Sequence, residues 1–158
     1  MSEPQTPRDV FTEILDRMRT GRFAEAAELY SDDFRLWLPF MLPEPVTING
    51  HADHRENMAP RMVTAEGKPP RLYDNLEIRD FVIHETTDPT VIVAEWVYVS
   101  TIGDREIANP NIVVMQVLDG KVAWTRDYHN HVTRAQADGE LPAYLELIES
   151  MILPEDRG

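Results

Sequence analysis

Asp127, His129 and His131 stand two residues apart in the stretch 119–131, DGKVAWTRDYHNH. Its opening Asp119-Gly120 is a tight hairpin turn, and the residues after it read as a strand over 122–132. Side chains alternate between the two faces of a strand, so the carboxylate and both imidazoles share one side while Arg126, Tyr128 and Asn130 take the other. On a half-buried strand such groups are costly unless they are paired, solvated or used. Asp127 and His129 have Cα atoms about 6.5–7 Å apart, close enough to serve one substrate or to lean into a hydrogen bond with each other. Burial raises a carboxyl pKa and a protonated neighbour lowers it, and either way an acid and a base lie near neutral pH. The same pair can equally be a buried structural contact, and the residues alone leave both readings open.

A second candidate group lies at Trp96 and Tyr98, which alternate with Val97 and Val99. Facing inward, they supply an aromatic wall and a phenol donor for a developing oxyanion. Facing outward, they make an aromatic core pair or a dimer contact. Leu36, Leu38, Phe40, Met58 and Met62 are the apolar residues expected around a ligand, with plain core as the alternative. Asn109, Asn111 and Gln116 are polar strand residues open to a role as inward donors, with a solvent-facing row as the preferred reading. Two metal patterns fail: His129-x-His131 lacks a downstream glutamate, and His51 with His54 has no further ligand nearby, so an exposed helix start is expected there. No metal and no cofactor is therefore expected; phosphate loops, nucleophile elbows and dinucleotide fingerprints are absent.

The elements that must carry these residues follow from periodicity. Val10, Phe11, Ile14, Leu15 and Met18 recur at helical spacing after Thr6-Pro7, and Gly21 stops that helix. A second short helix spans Phe23 to Tyr30 and ends in a turn at Ser31-Asp32-Asp33. Residues 34–40 alternate as an edge strand that Pro39 limits. A third helix is expected over 51–62, with Met58 and Met62 inward and Pro60 ending or kinking it. Strands follow over 72–85, 90–101, 107–118 and 122–132, and a last helix over 133–152. Helices first and antiparallel strands afterwards make an α+β domain, its pocket between the concave sheet and the helices.

At 158 residues the chain is expected to be one domain over 1–158. A formal net charge of -13 argues against nucleic acid. With no cysteine, disulfides and thiolate chemistry are excluded. No apolar run is long enough for a membrane span, and the first residues do not form a secretory signal, so a cytoplasmic protein is expected.

Four motifs in this order carry a resemblance: Leu29-Tyr30-Ser31-Asp32-Asp33-Phe34, Ile48-Asn49-Gly50, Glu85-Thr86-Thr87-Asp88-Pro89, and Asp119-Gly120-Lys121-Val122 leading to Arg126-Asp127-Tyr128. Over nearly its whole length the chain resembles the nuclear-transport-factor-2-like superfamily, a cone-shaped α+β fold with a curved, mixed sheet around N-terminal helices. Within it the chain is similar to SnoaL-like polyketide cyclases and PhzA/PhzB-like phenazine-biosynthesis proteins. The resemblance implies a general acid or base at Asp127. It departs from the limonene-epoxide-hydrolase branch at Trp96 and Tyr98, from the ketosteroid-isomerase branch at Leu38, and from the phenazine branch at Asn57.

The function this implies is cofactor-independent cyclisation, isomerisation or condensation of a small hydrophobic carbonyl-containing or polycyclic intermediate in secondary-metabolite (antibiotic) biosynthesis. Asp127 would move the proton, His129 would orient it or act as partner acid, and Tyr98 would hold the oxygen; Trp96, the apolar residues and His131 would contact substrate. The alternatives are a carrier for a hydrophobic metabolite and a scaffold whose cone is filled by its own side chains. A homodimer is expected through the outer valines Val91, Val93, Val97 and Val99.

Overall fold

In the computed structural model, residues 5–58 and 71–153 are described. Thr6 starts the first helix, α1 (Pro7–Arg19), through a reciprocal cap: its hydroxyl accepts from the Asp9 N–H at 3.2 Å and the Asp9 carboxylate accepts from the Thr6 N–H at 3.0 Å. Pro7 at the first helical position loses no hydrogen bond there. Val10, Phe11, Ile14 and Leu15 then form one buried stripe. A short helix α2 (Phe23–Ala27) completes the hairpin.

The expected turn at Ser31-Asp32-Asp33 is instead part of a strand. Strand β1 (Tyr30–Leu38) pairs in parallel with the strand of the central motif, Tyr30 opposite Val122 and Leu36 opposite Thr125. A register shift between Tyr30 and Arg35 lets the two aspartates bulge out of the ladder, which is why residues with turn chemistry occur inside a strand. Pro39 follows the end of β1, as the missing N–H requires.

The remaining elements are β2 (Val46–Asn49), α3 (Gly50–Asp53) continued by one wider turn of π type (His54–Met58), a 3-10 turn (Arg71–Tyr73), β3 (Glu77–Glu85), β4 (Val91–Ile102), β5 (Arg105–Leu118), β6 (Lys121–His129), α4 (His131–Asp138) and α5 (Leu141–Ser150). The strands form one sheet in the order β2-β1-β6-β5-β4-β3, with β1 and β6 parallel and the other pairs antiparallel. The class is α+β, and the sheet is mixed, curved and unclosed. The third helix was expected to reach 62; Met62 and the side chain of Met58 lie outside the described residues.

Two expectations near the C-terminus are corrected. The β6 strand stops at His129 rather than 132, because the Asn130 side chain accepts the Thr133 N–H at 3.1 Å and starts a helix at His131. The single last helix is two, parted at Gly139, whose φ of 75° closes α4 while the Glu140 N–H reaches back to Ala135 O at 2.8 Å.

Packing follows the alternation. Inward members Ile92, Ala94, Trp96 and Tyr98 of β4 and Val113, Met115 and Val117 of β5 are buried against the α1 stripe, with Phe11 and Trp96 edge to face at 5.2 Å between ring centroids. Gly50 joins β2 to α3 with φ 73°, and a Cβ there would sit 2.7 Å from the Asp32 carbonyl oxygen. We expect Gly50→Ala to lose roughly 2–3 kcal/mol in urea unfolding, from the left-handed backbone and the carbonyl clash together; a loss below about 0.5 kcal/mol would show that neither constraint holds.

Candidate active site

The concave side of the sheet and the helices bound a cavity of about 1290 Å³, so the cone is not filled by its own side chains. Trp96 and Tyr98 line it, which removes the outward, dimer-contact alternative for that pair. Leu36 and Leu38 line it from β1. Phe40 does not: Pro39 has ended the strand, and Phe40 is 60% exposed and stacks edge-on against the outward Tyr128 at 5.5 Å.

Asp127 and His129 project into the cavity from β6, and His131 reaches it from the first turn of α4 rather than from the same strand. The two imidazoles meet edge to face at 5.2 Å. Arg134, three residues after His131 and so on the same helix face, joins them in lining the cavity. Its guanidinium is also 3.7 Å from the Asp138 carboxylate.

His129 does not use Asp127 as its partner. Its Nδ1–H donates to Asn111 Oδ1, while Nε2 faces the Asn109 amide at 3.5 Å. The Asn111 amide in turn donates to Asn109 O at 2.6 Å, which assigns the side-chain oxygen to the imidazole. Asn109 and Asn111 are therefore buried inward residues, 0% and 4% exposed, and not a solvent-facing row. Burial, helped by His131 and Arg134, pushes the His129 pKa down to about 3, so the ring stays neutral in one tautomer through the physiological range.

Asp127 behaves oppositely. Its Oδ1 is buried and has no hydrogen-bond partner among the described residues. Burial pushes the carboxyl up to about 6, with Arg134 holding it lower than burial alone would. Three phenols share the cavity: Tyr30, Tyr73 and Tyr98. Burial raises all three, that of Tyr73 to about 12, and the Asp127 charge adds to each rise, so they remain donors.

His51 and His54, expected on an exposed helix start, are half-buried and line the same cavity, edge-on to Phe34 at 5.2 and 6.1 Å. His51 Nε2–H donates to the Tyr30 carbonyl at 3.2 Å. Among the described residues no group of three or more His, Asp or Glu side chains has an arrangement that could hold a metal ion.

Several of these residues escaped the sequence. Asn109 and Asn111 share the parity of Ile107, Val113, Met115 and Val117, a signal that was present. Arg134 was detectable once Asn130 is read as a cap. Tyr73 closes a single 3-10 turn and had no local signal.

No family model matches this chain, and no curated protein matches it. Solved structures do. A candidate isomerase from Bacillus subtilis superposes with a TM-score of 0.67 over 89% of this chain and 97% of that one, at 17% identity. A candidate polyketide cyclase from Xanthomonas campestris pv. campestris gives 0.60 over 89% and 99%, at 16% identity. A phenazine biosynthesis-related protein from Pseudomonas aeruginosa gives 0.56 over 84% and 80%, at 18% identity. These superpositions, with the mixed curved sheet and the cavity beneath the helices, identify the chain's architecture as the cone-shaped nuclear-transport-factor-2-like fold.

Proposed function

We propose that the protein is a cofactor-independent acid–base enzyme that isomerises or cyclises a small hydrophobic carbonyl compound of secondary metabolism. One observation carries this reading: a carboxylate whose buried oxygen has no hydrogen-bond partner among the described residues, with a pKa raised to about 6, on the wall of a large, aromatic-lined cavity. A carboxyl poised there is largely ionised at neutral pH yet basic enough to accept a proton from a carbon next to a carbonyl. The names of the solved structures with this fold, isomerase and polyketide cyclase among them, support the same class of chemistry.

In this reading Asp127 removes the proton, the Tyr98 hydroxyl donates to the enolate oxygen, and the proton returns to a different carbon. In a cyclisation the enolate carbon instead attacks a second carbonyl, and protonated Asp127 neutralises the new alkoxide. His129, neutral and held by Asn111, supports the wall beside Asp127 and keeps a positive charge away from it. Leu36 and Leu38 contact the apolar body of the ligand, and His131 its rim. The protein acts on a small molecule, and a second copy pairs with it through the outer sheet face, where Val93, Val97 and Val114 are half-buried and Ile112 and Trp37 are exposed.

Deuterium exchange at the α-carbon of 2-tetralone, followed by NMR, tests the base directly. The wild type should accelerate exchange over buffer, with the rate rising through an apparent pKa of about 6 and level above it, because only ionised Asp127 accepts the proton. Asp127→Asn should lose about 100- to 10,000-fold while keeping its circular dichroism spectrum; exchange unchanged in that variant would rule the mechanism out. Light scattering should return a dimer mass, and Val97→Glu, on the outer face, should shift it toward monomer; a monomeric wild type removes the pairing.

A further inference from the structure

Trp96 is 6% exposed and lines the cavity, and its indole Nε1–H is buried with no hydrogen-bond partner among the described residues. An indole N–H is a donor only, and a buried one ordinarily finds an acceptor. Thr125 Oγ1, Asp127 Oδ1 and His131 Nε2 are in the same position, and their residues line the same cavity. Polar atoms left unsatisfied around one hollow are those a ligand would satisfy.

The indole has little freedom to turn away. Phe11 packs edge to face on it at 5.2 Å, and Tyr98 at 5.5 Å. The indole lies near enough to the Tyr98 hydroxyl to favour slightly its ionised form, but no aligned hydrogen bond joins them, so the N–H is not spent on the phenol. Trp96 stands opposite Asn111, which stands opposite His129; Ala94, Val113 and Asp127 form the next inward row. Trp96 and Asp127 are thus two strands and one inward position apart, about 12 Å between Cα atoms on a regular sheet. Val113, between Ala94 and Asp127 in that row, lines the cavity together with Trp96 and Asp127, so one ligand in the hollow can lie between indole and carboxylate.

We propose that Trp96 Nε1–H, together with the Tyr98 hydroxyl, donates to the carbonyl oxygen of the substrate, which makes the ligand an enolisable ketone or ester bound with its oxygen toward β4 and its acidic carbon toward β6. This rests on the reading of Asp127 as the base. As the α C–H bond breaks, its proton goes to the Asp127 carboxylate and its electron pair moves through the forming C=C bond to the oxygen. The two donors meet charge that develops on that oxygen and is larger in the transition state than in the ketone, which is where a donor accelerates a reaction rather than merely binding substrate. Neither donor titrates near neutral pH, so the contribution does not change with the ionisation of Asp127.

The chain has three tryptophans, Trp37, Trp96 and Trp124, so indole-15N-labelled protein gives three resonances, and Trp96→Phe assigns the relevant one. 2-Naphthol, whose oxygen stands where an enolate oxygen would, should move the Trp96 indole proton downfield and leave those of Trp37 and Trp124 in place. Trp96→Phe should lower kcat for 2-tetralone exchange by about 100-fold with KM changed by less than about threefold. The same titration on Asp127→Asn separates the two readings. A Trp96 shift in that variant, with exchange activity undiminished, leaves the donor standing and removes the base. Exchange lost in Asp127→Asn, with a silent Trp96 resonance while 2-naphthol is bound by its fluorescence, overturns the donor, as does failure of 2-naphthol to bind at its solubility limit.

Discussion

Asp127 holds a carboxyl group with one oxygen buried and without a hydrogen-bond donor among the described residues, and the rest of the site can be derived from the cost of that placement. A shift from 3.8 to about 6 corresponds to about 3 kcal/mol between the ionised and neutral forms. The sign follows from the unfolded chain, where the group ionises near 3.8. Below that pH the carboxyl is neutral in both states and the cost is absent. It grows as pH rises from about 4 to about 6 and is present in full above, so at neutral pH folding is opposed by the ionised group. Arg134, which also lines the cavity, reduces the cost without removing it, and the three phenols stand close enough to feel the charge. A group held at such expense by the surrounding fold is where function and stability pull in different directions.

The surrounding architecture sets this half-buried carboxyl among apolar and neutral groups. The α1 stripe and the inward faces of β4 and β5 close one side with Phe11, Trp96 and Met115. His129, which as an imidazolium would pull the Asp127 pKa down, is kept from charging by burial and by the nearby His131 and Arg134, while Asn111 fixes its ring by accepting from Nδ1–H. Two residues two apart on one strand therefore have pKa values moved in opposite directions, the acid up and the imidazole down. That separation fits the proposed role of Asp127 as a single proton-active group on the cavity wall rather than one half of a dyad.

Much of this was legible in residue order. The capped first helix, the alternation of β4 and β5, the Asp119-Gly120 hairpin and the inward face of Asp127 all follow from local rules, because each rests on periodicity or turn chemistry over a few residues. Where local chemistry competed with long-range pairing, the reading failed. Ser31-Asp32-Asp33 has the composition of a turn, and only pairing with β6 draws it into a strand. His131 keeps the parity of a strand, yet one cap at Asn130 converts it to a helical residue. Asn109 and Asn111 were misassigned because polar residues on a strand were taken to face water, whereas here they exist to serve a buried ring. Phe40 was lost to the break at Pro39, and the approach of Arg134 and Tyr73 depends on how separate elements meet, which no short window of sequence contains.

The central claim is the protonation state of one side chain, and it can be observed without knowing the substrate. Carboxyl 13C NMR of aspartate-labelled protein, with the Asp127 resonance assigned by its absence in Asp127→Asn, follows that group through pH 3 to 9. The account predicts a titration midpoint near 6, well above the ordinary aspartate range of about 3.9. A midpoint at or below that ordinary value would mean that the carboxylate is solvated or paired, and the proposed proton transfer would lose its base.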